Sequence, residues 1–308
     1  MAKKVARVLN QSQKDFLRVF SDLCCSKSDW QVWTDFIYLA AVAIANSVDR
    51  EGPVHDAREE RCMTVLNGYR ESERAQFPDL LEILVNALEQ NPDQDFLGEM
   101  FMAMELGSHW HGQFFTPYSV CRMMAKMQIT SSEKELKARG WVGVNDPACG
   151  AGALLIAARN EFAGHGIGWL QTFFVAQDID QNAGLMCYIQ LSLLGCAGYV
   201  VIADTICNPL TGPSILTPVQ REGQEFWFMP MTASPFWQER VRLEHFKAAM
   251  NALGRKTAEP ENPAVATVIP ETPREKPGKE TPEPETPVEA ISEAPAYEAD
   301  EGGQLRFF

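Results

Sequence analysis

From Gln11 to about Leu106 the apolar positions return every three or four residues. Phe16, Val19, Phe20 and Leu23 form one stripe, and Trp30, Trp33, Phe36, Ile37, Ala40 and Ile44 a second. Leu80, Leu81, Leu84, Val85 and Leu88 form a third, and Phe96, Leu97, Met100, Phe101, Met104 and Leu106 continue the theme. That spacing predicts amphipathic helices packed on a shared core, with Asp79, just after Pro78, as the cap of the third. Beyond Gly107 and Gly112 the pattern changes. Gln113 to Pro117 reads as an extended loop, and Thr116-Pro117 opens a helix over Tyr118 to Met127 with Thr116 as its cap. Ser131 to Gly140 reads as a polar connection. Short apolar runs then alternate with helical stretches: a strand at Gly140 to Val144, a helix at Ala153 to Phe162, and a strand at Phe173 to Ala176. A helix at Asn182 to Leu194 and a strand at Tyr199 to Ala203 come next. Strand–helix–strand alternation predicts a parallel α/β sheet with right-handed crossovers.

The turn after the first of these strands is Asn145-Asp146-Pro147-Ala148-Cys149-Gly150-Ala151-Gly152. Gly150 and Gly152 let the backbone turn sharply and approach a ligand where a Cβ would collide. The spacing is not that of the dinucleotide fingerprint. The second strand ends in Gln177-Asp178-Ile179-Asp180 and the third in Asp204. An acid at the second strand end suits the two hydroxyls of a ribose, and a carboxylate at the third can accept from an adenine amino group. Asp146, Asp178 and Asp204, at successive strand tips, describe a site for S-adenosylmethionine better than one for phosphate.

Asp-Pro-Ala-Cys-Gly-Ala-Gly at 146–152, preceded by Gly-Gln-Phe-Phe-Thr-Pro at 112–117, resembles the DNA adenine-N6 methyltransferases. The chain is most similar to the methylation subunits of type I restriction-modification systems, over about Asp95 to Asp204. The resemblance implies that both segments line an S-adenosylmethionine pocket. It assigns to that pocket Phe115, Thr116, Asp146, Pro147, Ala148, Cys149, Gly150, Gly152, Asp178, Ile179 and Asp204. The amino end of the helix after Pro117 can meet the cofactor's carboxylate. By the same resemblance the helical amino-terminal part assists subunit assembly and DNA binding.

Past Asp204 the expected parts stop. The family carries Asn-Pro-Pro-(Tyr/Phe) after a fourth strand to hold the flipped target base, and the sequence contains no such tetrapeptide. Asn208-Pro209-Leu210-Thr211 lacks the aromatic residue. Ser234-Pro235-Phe236-Trp237 is the alternative, with Ser234, Pro235 and Phe236 as a degenerate target-base site or else an aromatic packing corner. Residues 205–253 are too few for the four remaining strands and their helices, which need on the order of 80 residues. Either the sheet is truncated or another chain completes it. The fold class is therefore α/β, a parallel doubly wound methyltransferase-like sheet. The division is 1–110 helical, 111–253 methyltransferase-like, 254–303 a disordered linker, and 304–308 a terminal peptide. The linker holds nine prolines, twelve acids and five bases, a composition that cannot bury enough apolar surface to order itself. Gln304, Leu305, Phe307 and Phe308 resemble the short peptide by which bacterial proteins dock on the replicative sliding clamp.

Composition narrows the function. A net charge of -14 argues against a body that neutralises many phosphates by itself, so DNA contact is local or shared with a partner subunit. The eight cysteines show no paired spacing, as expected of reduced thiols in a cytoplasmic protein. The longest apolar run, Phe36 to Ala45, is too short to cross a bilayer. No metal set is evident, His109-Trp110-His111 having no third ligand nearby. Two readings stand: a DNA adenine-N6 methyltransferase that uses S-adenosylmethionine, or an inactive methyltransferase-like maintenance module that docks through its tail. A small-molecule methyltransferase is the weaker third.

Overall fold

The computed structural model describes residues 9–24, 27–106, 114–128, 132–257 and 304–306. The chain divides into two units, Met1–Phe246 with Ala299–Phe308, and Lys247–Glu298. His109, Trp110, His111, Gly112, Gln113, residues 258–303, Phe307 and Phe308 lie outside the described residues, as do the expectations that rest on them.

Six helices come first: α1 (Gln11–Leu23), α2 (Asp29–Ala45), α3 (Pro53–Asn67), α4 (Glu71–Arg74), α5 (Gln76–Gln90) and α6 (Phe96–Ala103). Asn10 caps α1 in a reciprocal box with Gln13, satisfying two otherwise unpartnered backbone N–H groups. The third stripe begins its helix earlier than its sequence suggests. Pro78 sits in the first turn of α5 and Asp79 is inside the helix rather than at its cap, because a proline there has no N–H to leave unpaired. The stripes meet as aromatic edges, with Phe16 against Phe36 at 5.4 Å and against Phe96 at 5.7 Å between ring centroids.

α7 (Tyr118–Gln128) and α8 (Ser132–Arg139) lead into the sheet. α8 corrects the polar connection expected there. Its sequence is almost wholly hydrophilic, yet Glu135 and Arg139 pair at 2.9 Å one turn apart, the kind of pairing that supports an exposed helix. The sheet runs through β1 (Val142–Asp146), α9 (Ala153–Gly164), β2 (Thr172–Asp178), α10 (Gln181–Leu193) and β3 (Ala197–Ile202). Strands β1, β2 and β3 are parallel neighbours. They are buried on both faces, as a sheet flanked by crossover helices requires.

After β3 comes a hairpin, β4 (Thr211–Ser214) with β5 (Thr217–Val219), and then β6 (Glu225–Phe228), antiparallel to β3. A 3-10 turn, Pro230–Ala233, leads to α11 (Pro235–Thr257). β7 (Gln304–Arg306) lies parallel to β1, so the sheet order is β6-β3-β2-β1-β7. Among the described residues no further parallel strand comes between β3 and β7 along the chain.

One hydrophobic core runs from Phe16 through Val142 and Tyr188 to Met229, so the amino-terminal helices and the sheet share an interior. Gln190 on α10 ties them together. Fully buried, it accepts from the Leu97 N–H at 3.0 Å and donates to Asp95 at 2.8 Å and to the Ala151 carbonyl at 3.0 Å.

Candidate cofactor site

The carboxyl ends of β1 and β2 open on a cavity of about 580 Å³, a size suited to a nucleoside-like ligand. The turn after β1 forms one wall. Gly150 has φ +53 and Gly152 φ +91, a region L side chains rarely adopt. A Cβ on Gly152 would stand 2.8 Å from the Cys187 sulfur, and one on Gly150 3.0 Å from the Phe115 ring. The turn is tied to β2 by the Cys149 N–H on the Gln177 carbonyl at 3.1 Å and by the Gly150 N–H on Asp178 at 2.8 Å. The opposite wall is the segment before α7, where Phe114, Phe115 and Thr116 face the cavity. Pro117 supplies the first carbonyl of that helix, accepting from Val120 and Cys121.

Two carboxyl groups face this space. Asp146 is 6% exposed, and burial pushes its pKa up to about 6 despite the Ala148 N–H that it accepts; the charge of Asp178 adds to the rise. Asp178 is raised too, by burial, against the N–H groups of Asp180 and Gly150. Among the described residues no lysine or arginine lines the cavity. Two desolvated acids without a cation favour a positively charged guest, and S-adenosylmethionine brings a sulfonium and an ammonium. Asp178 spends one acceptor site of each oxygen on backbone N–H groups, and each oxygen keeps another for a hydroxyl. The residues fit the cofactor. Bound there, it would supply an electrophilic methyl group, while the glycine turn gives close approach and Phe115 an apolar wall.

Of the residues singled out from sequence, Phe115, Thr116, Asp146, Pro147, Ala148, Cys149, Gly150 and Asp178 line the one cavity. Gly152 stands behind it as the cap residue of α9. Ile179 is 70% exposed and outside the lining. Asp204 is also outside it: its carboxylate turns onto its own loop, accepting from Ile206 at 2.8 Å and Cys207 at 3.0 Å. Those backbone N–H groups hold its pKa below the usual range. The loop still touches the motif, since the Thr205 hydroxyl donates to the Pro147 carbonyl. Ala151 and Ala153 continue the turn into α9, and Cys121, Met124, Leu154 and Ala183 complete the lining; these four sit on α7, α9 and α10, and only helical phase relative to the turn would have flagged them.

Ser234, Pro235 and Phe236 do not line this cavity. Thr232, just before them, bonds Gly198 at the start of β3. Arg240, stacked on Phe236 and Trp237, donates to the carbonyls of Leu170 and Gly140, just before β2 and β1. The segment thus packs at the amino edge of the sheet, opposite the cavity, with Trp237 fully buried. Asn208-Pro209 lies beyond β3 at the proper edge. Its backbone carbonyls are engaged: the Gln224 amide donates to both at 3.1 Å and the Gln177 amide to that of Asn208 at 3.0 Å, whereas the buried Asn208 side-chain oxygen has no hydrogen-bond partner.

Residues 94–236 match the family model described as N-6 DNA Methylase. This segment is therefore similar to the N-6 DNA methylases, over somewhat less than half of the chain. The match covers the cavity, both walls and the strands that carry them, and a methylase of this family implies S-adenosylmethionine as cofactor. A solved structure from Listeria monocytogenes, described as a class I S-adenosylmethionine-dependent methyltransferase, is 16% identical, with a TM-score of 0.37 over 71% of this chain and 67% of that one. So loose a superposition decides nothing. No curated protein matches the chain. Among the described residues no helix is long and apolar enough to cross a membrane, and no cluster of potential metal ligands occurs.

Proposed function

We propose that the chain binds S-adenosylmethionine in the β1–β2 cavity and serves DNA adenine-N6 methylation, with the target-base side completed by a partner subunit. The observation that carries this reading is the meeting of Phe115 and Thr116 with Asp146, Pro147, Ala148, Cys149, Gly150 and Asp178 around one space. Asp178 holds the ribose hydroxyls, Asp146 stabilises a cationic group, and the glycine turn admits the adenosyl body. Transfer to an exocyclic amine depends on positioning rather than on a strong base. The backbone carbonyls of Asn208 and Pro209 already accept from Gln224, and Leu210 and Thr211 follow them where an aromatic residue would stack on the base. The net charge of -14 likewise favours sharing the phosphate contacts with another chain.

The experiment is a titration of labelled S-adenosylmethionine, then a methyl-transfer assay on DNA with and without candidate partner subunits. Binding with partner-dependent transfer supports the reading. Absence of binding overturns it. Binding without transfer under any pairing favours a second reading, an inactive DNA-maintenance module docking on the sliding clamp through Gln304, Leu305, Phe307 and Phe308. For that reading, deleting residues 304–308 abolishes clamp binding; unchanged affinity ends it.

A further inference from the structure

A second cavity, of about 820 Å³, lies between α2, α3 and β6 and shares no lining residue with the first. Two arginines of α3, Arg58 and Arg61, are the cations of its lining. Arg58 is only 9% exposed, and its guanidinium lies 4.2 Å from the centre of the Trp227 ring. Arg61 lies 3.8 Å over Tyr38, and Tyr38 meets Trp227 edge-on at 6.5 Å. Stacking fixes both planar forks, yet their hydrogen bonds are long. Arg58 reaches Asp49 at 3.3 Å and the Phe226 carbonyl at 3.5 Å, and Arg61 reaches the Gln181 amide oxygen at 3.4 Å. Charge-assisted bonds of arginine ordinarily close to about 2.7–2.9 Å. A buried guanidinium with loose partners on a cavity wall is an incompletely satisfied charge, and oxyanions suit the fork.

The rest of the cavity restricts the anion. Val48, Val54 and Phe228 line it and are exposed, Phe228 by 49%. They offer an apolar platform with an aromatic face. Asp49 and Glu225 are also in the lining and can accept N–H groups from a guest. The Asp49 side chain is half in solvent, so a phosphate displaces it from Arg58 at little cost. We infer that this cavity binds a nucleotide, its phosphate on Arg58 and Arg61, its base against Phe228, and its amino groups toward Asp49 or Glu225. The source is either a free mononucleotide or the terminal nucleotide of a single strand.

The test uses the full chain, titrated with 5′-dAMP, adenosine, inorganic phosphate and a 5′-phosphorylated single-stranded oligonucleotide, with tryptophan fluorescence and calorimetry as readouts. Saturable binding of 5′-dAMP or the oligonucleotide is expected. Adenosine and phosphate alone should bind weakly, and Arg61→Gln, a change at the solvent-facing rim, should weaken the nucleotide by about tenfold or more. Arg61→Lys, which keeps the charge and loses the fork, should fall between. Tighter binding of the oligonucleotide than of 5′-dAMP identifies the strand end as the source; equal or weaker binding identifies the free nucleotide. No saturable binding of either overturns the inference. So does nucleotide binding that Arg61→Gln leaves unchanged, because the guest then sits in the β1–β2 cavity. S-adenosylmethionine binding, measured in parallel, should be the same in wild type and Arg61→Gln, which separates this test from that of the proposed activity.

Discussion

At the tips of β1 and β2 the aspartates turn inward, lose solvent and face a shared space; at the tip of β3 the aspartate turns outward onto its own backbone. All three have the same chemistry and the same place at a strand end. Asp146 and Asp178 are raised by burial, whereas Asp204 is lowered by the N–H groups of Cys207 and Ile206. The difference arises from the segment after each strand. β1 and β2 run into a glycine turn and a helix cap that close over the acids, while β3 runs into an open loop that folds back toward β4. Carboxylates kept dry are poised for a cationic guest. Asp204 instead turns its carboxylate onto its own loop, outside the cavity that Asp146 and Asp178 share.

The most severe way to break this contrast is Gly152→Val. A side chain there meets Cys187 in a left-handed backbone, and binding of S-adenosylmethionine in calorimetry should fall by about a hundredfold or more, with a lower melting temperature. Asp178→Asn comes next. It removes the charge that accepts from Gly150, and a lost charge-assisted bond of about 1.5–3 kcal/mol corresponds to roughly ten- to hundredfold in affinity.

Asp146 gives a pH signature. Its native pKa of about 6 stands above the ordinary 3.8, so the folded protein holds the proton more tightly than the unfolded chain. The contribution of Asp146 to stability is therefore greatest below pH 4, declines as pH rises from about 4 to 6, and levels off above, changing by at most about 3 kcal/mol. Denaturant melts across that range should flatten in Asp146→Asn. A cationic ligand reverses the preference, so S-adenosylmethionine affinity should weaken as pH falls through about 6. The smallest effect belongs to Asp204→Asn, which should change cofactor affinity less than Asp178→Asn does. Equal losses at Asp178 and Asp204 would erase the distinction between the strand tips.

Features fixed by backbone chemistry were legible in the sequence. Apolar periodicity locates α1, α2, α5 and α6, alternation gives the parallel strands, and the glycines at 150 and 152 mark the turn; α3 and α4 carry no such stripe. Phe115 and Thr116 could be paired with that turn only through the family resemblance, because nothing local in the sequence says that the two segments meet. Side-chain direction was not legible. Asp204 has two backbone donors within three residues and takes them. Ser234 to Trp237 sits in aromatic surroundings that serve either edge of a sheet, and the bonds of Thr232 and Arg240 decide for the amino edge. α8 was hidden because its stability comes from charge pairing rather than from an apolar stripe. Gln190 was hidden because a buried amide looks in sequence like any surface glutamine.

Gln190 also sets how the molecule comes apart. Its one side chain holds α6 and the cofactor turn at once, from the middle of α10, and the apolar interior passes without interruption from α1 to β6. Heat or urea should therefore find no seam at residue 94, where the family match begins, and the body formed by Met1–Phe246 should melt in a single cooperative step. A fragment trimmed to the matched segment would bare the surfaces that Phe16, Trp33 and Phe36 now cover, and would be expected to aggregate rather than act as a smaller methylase.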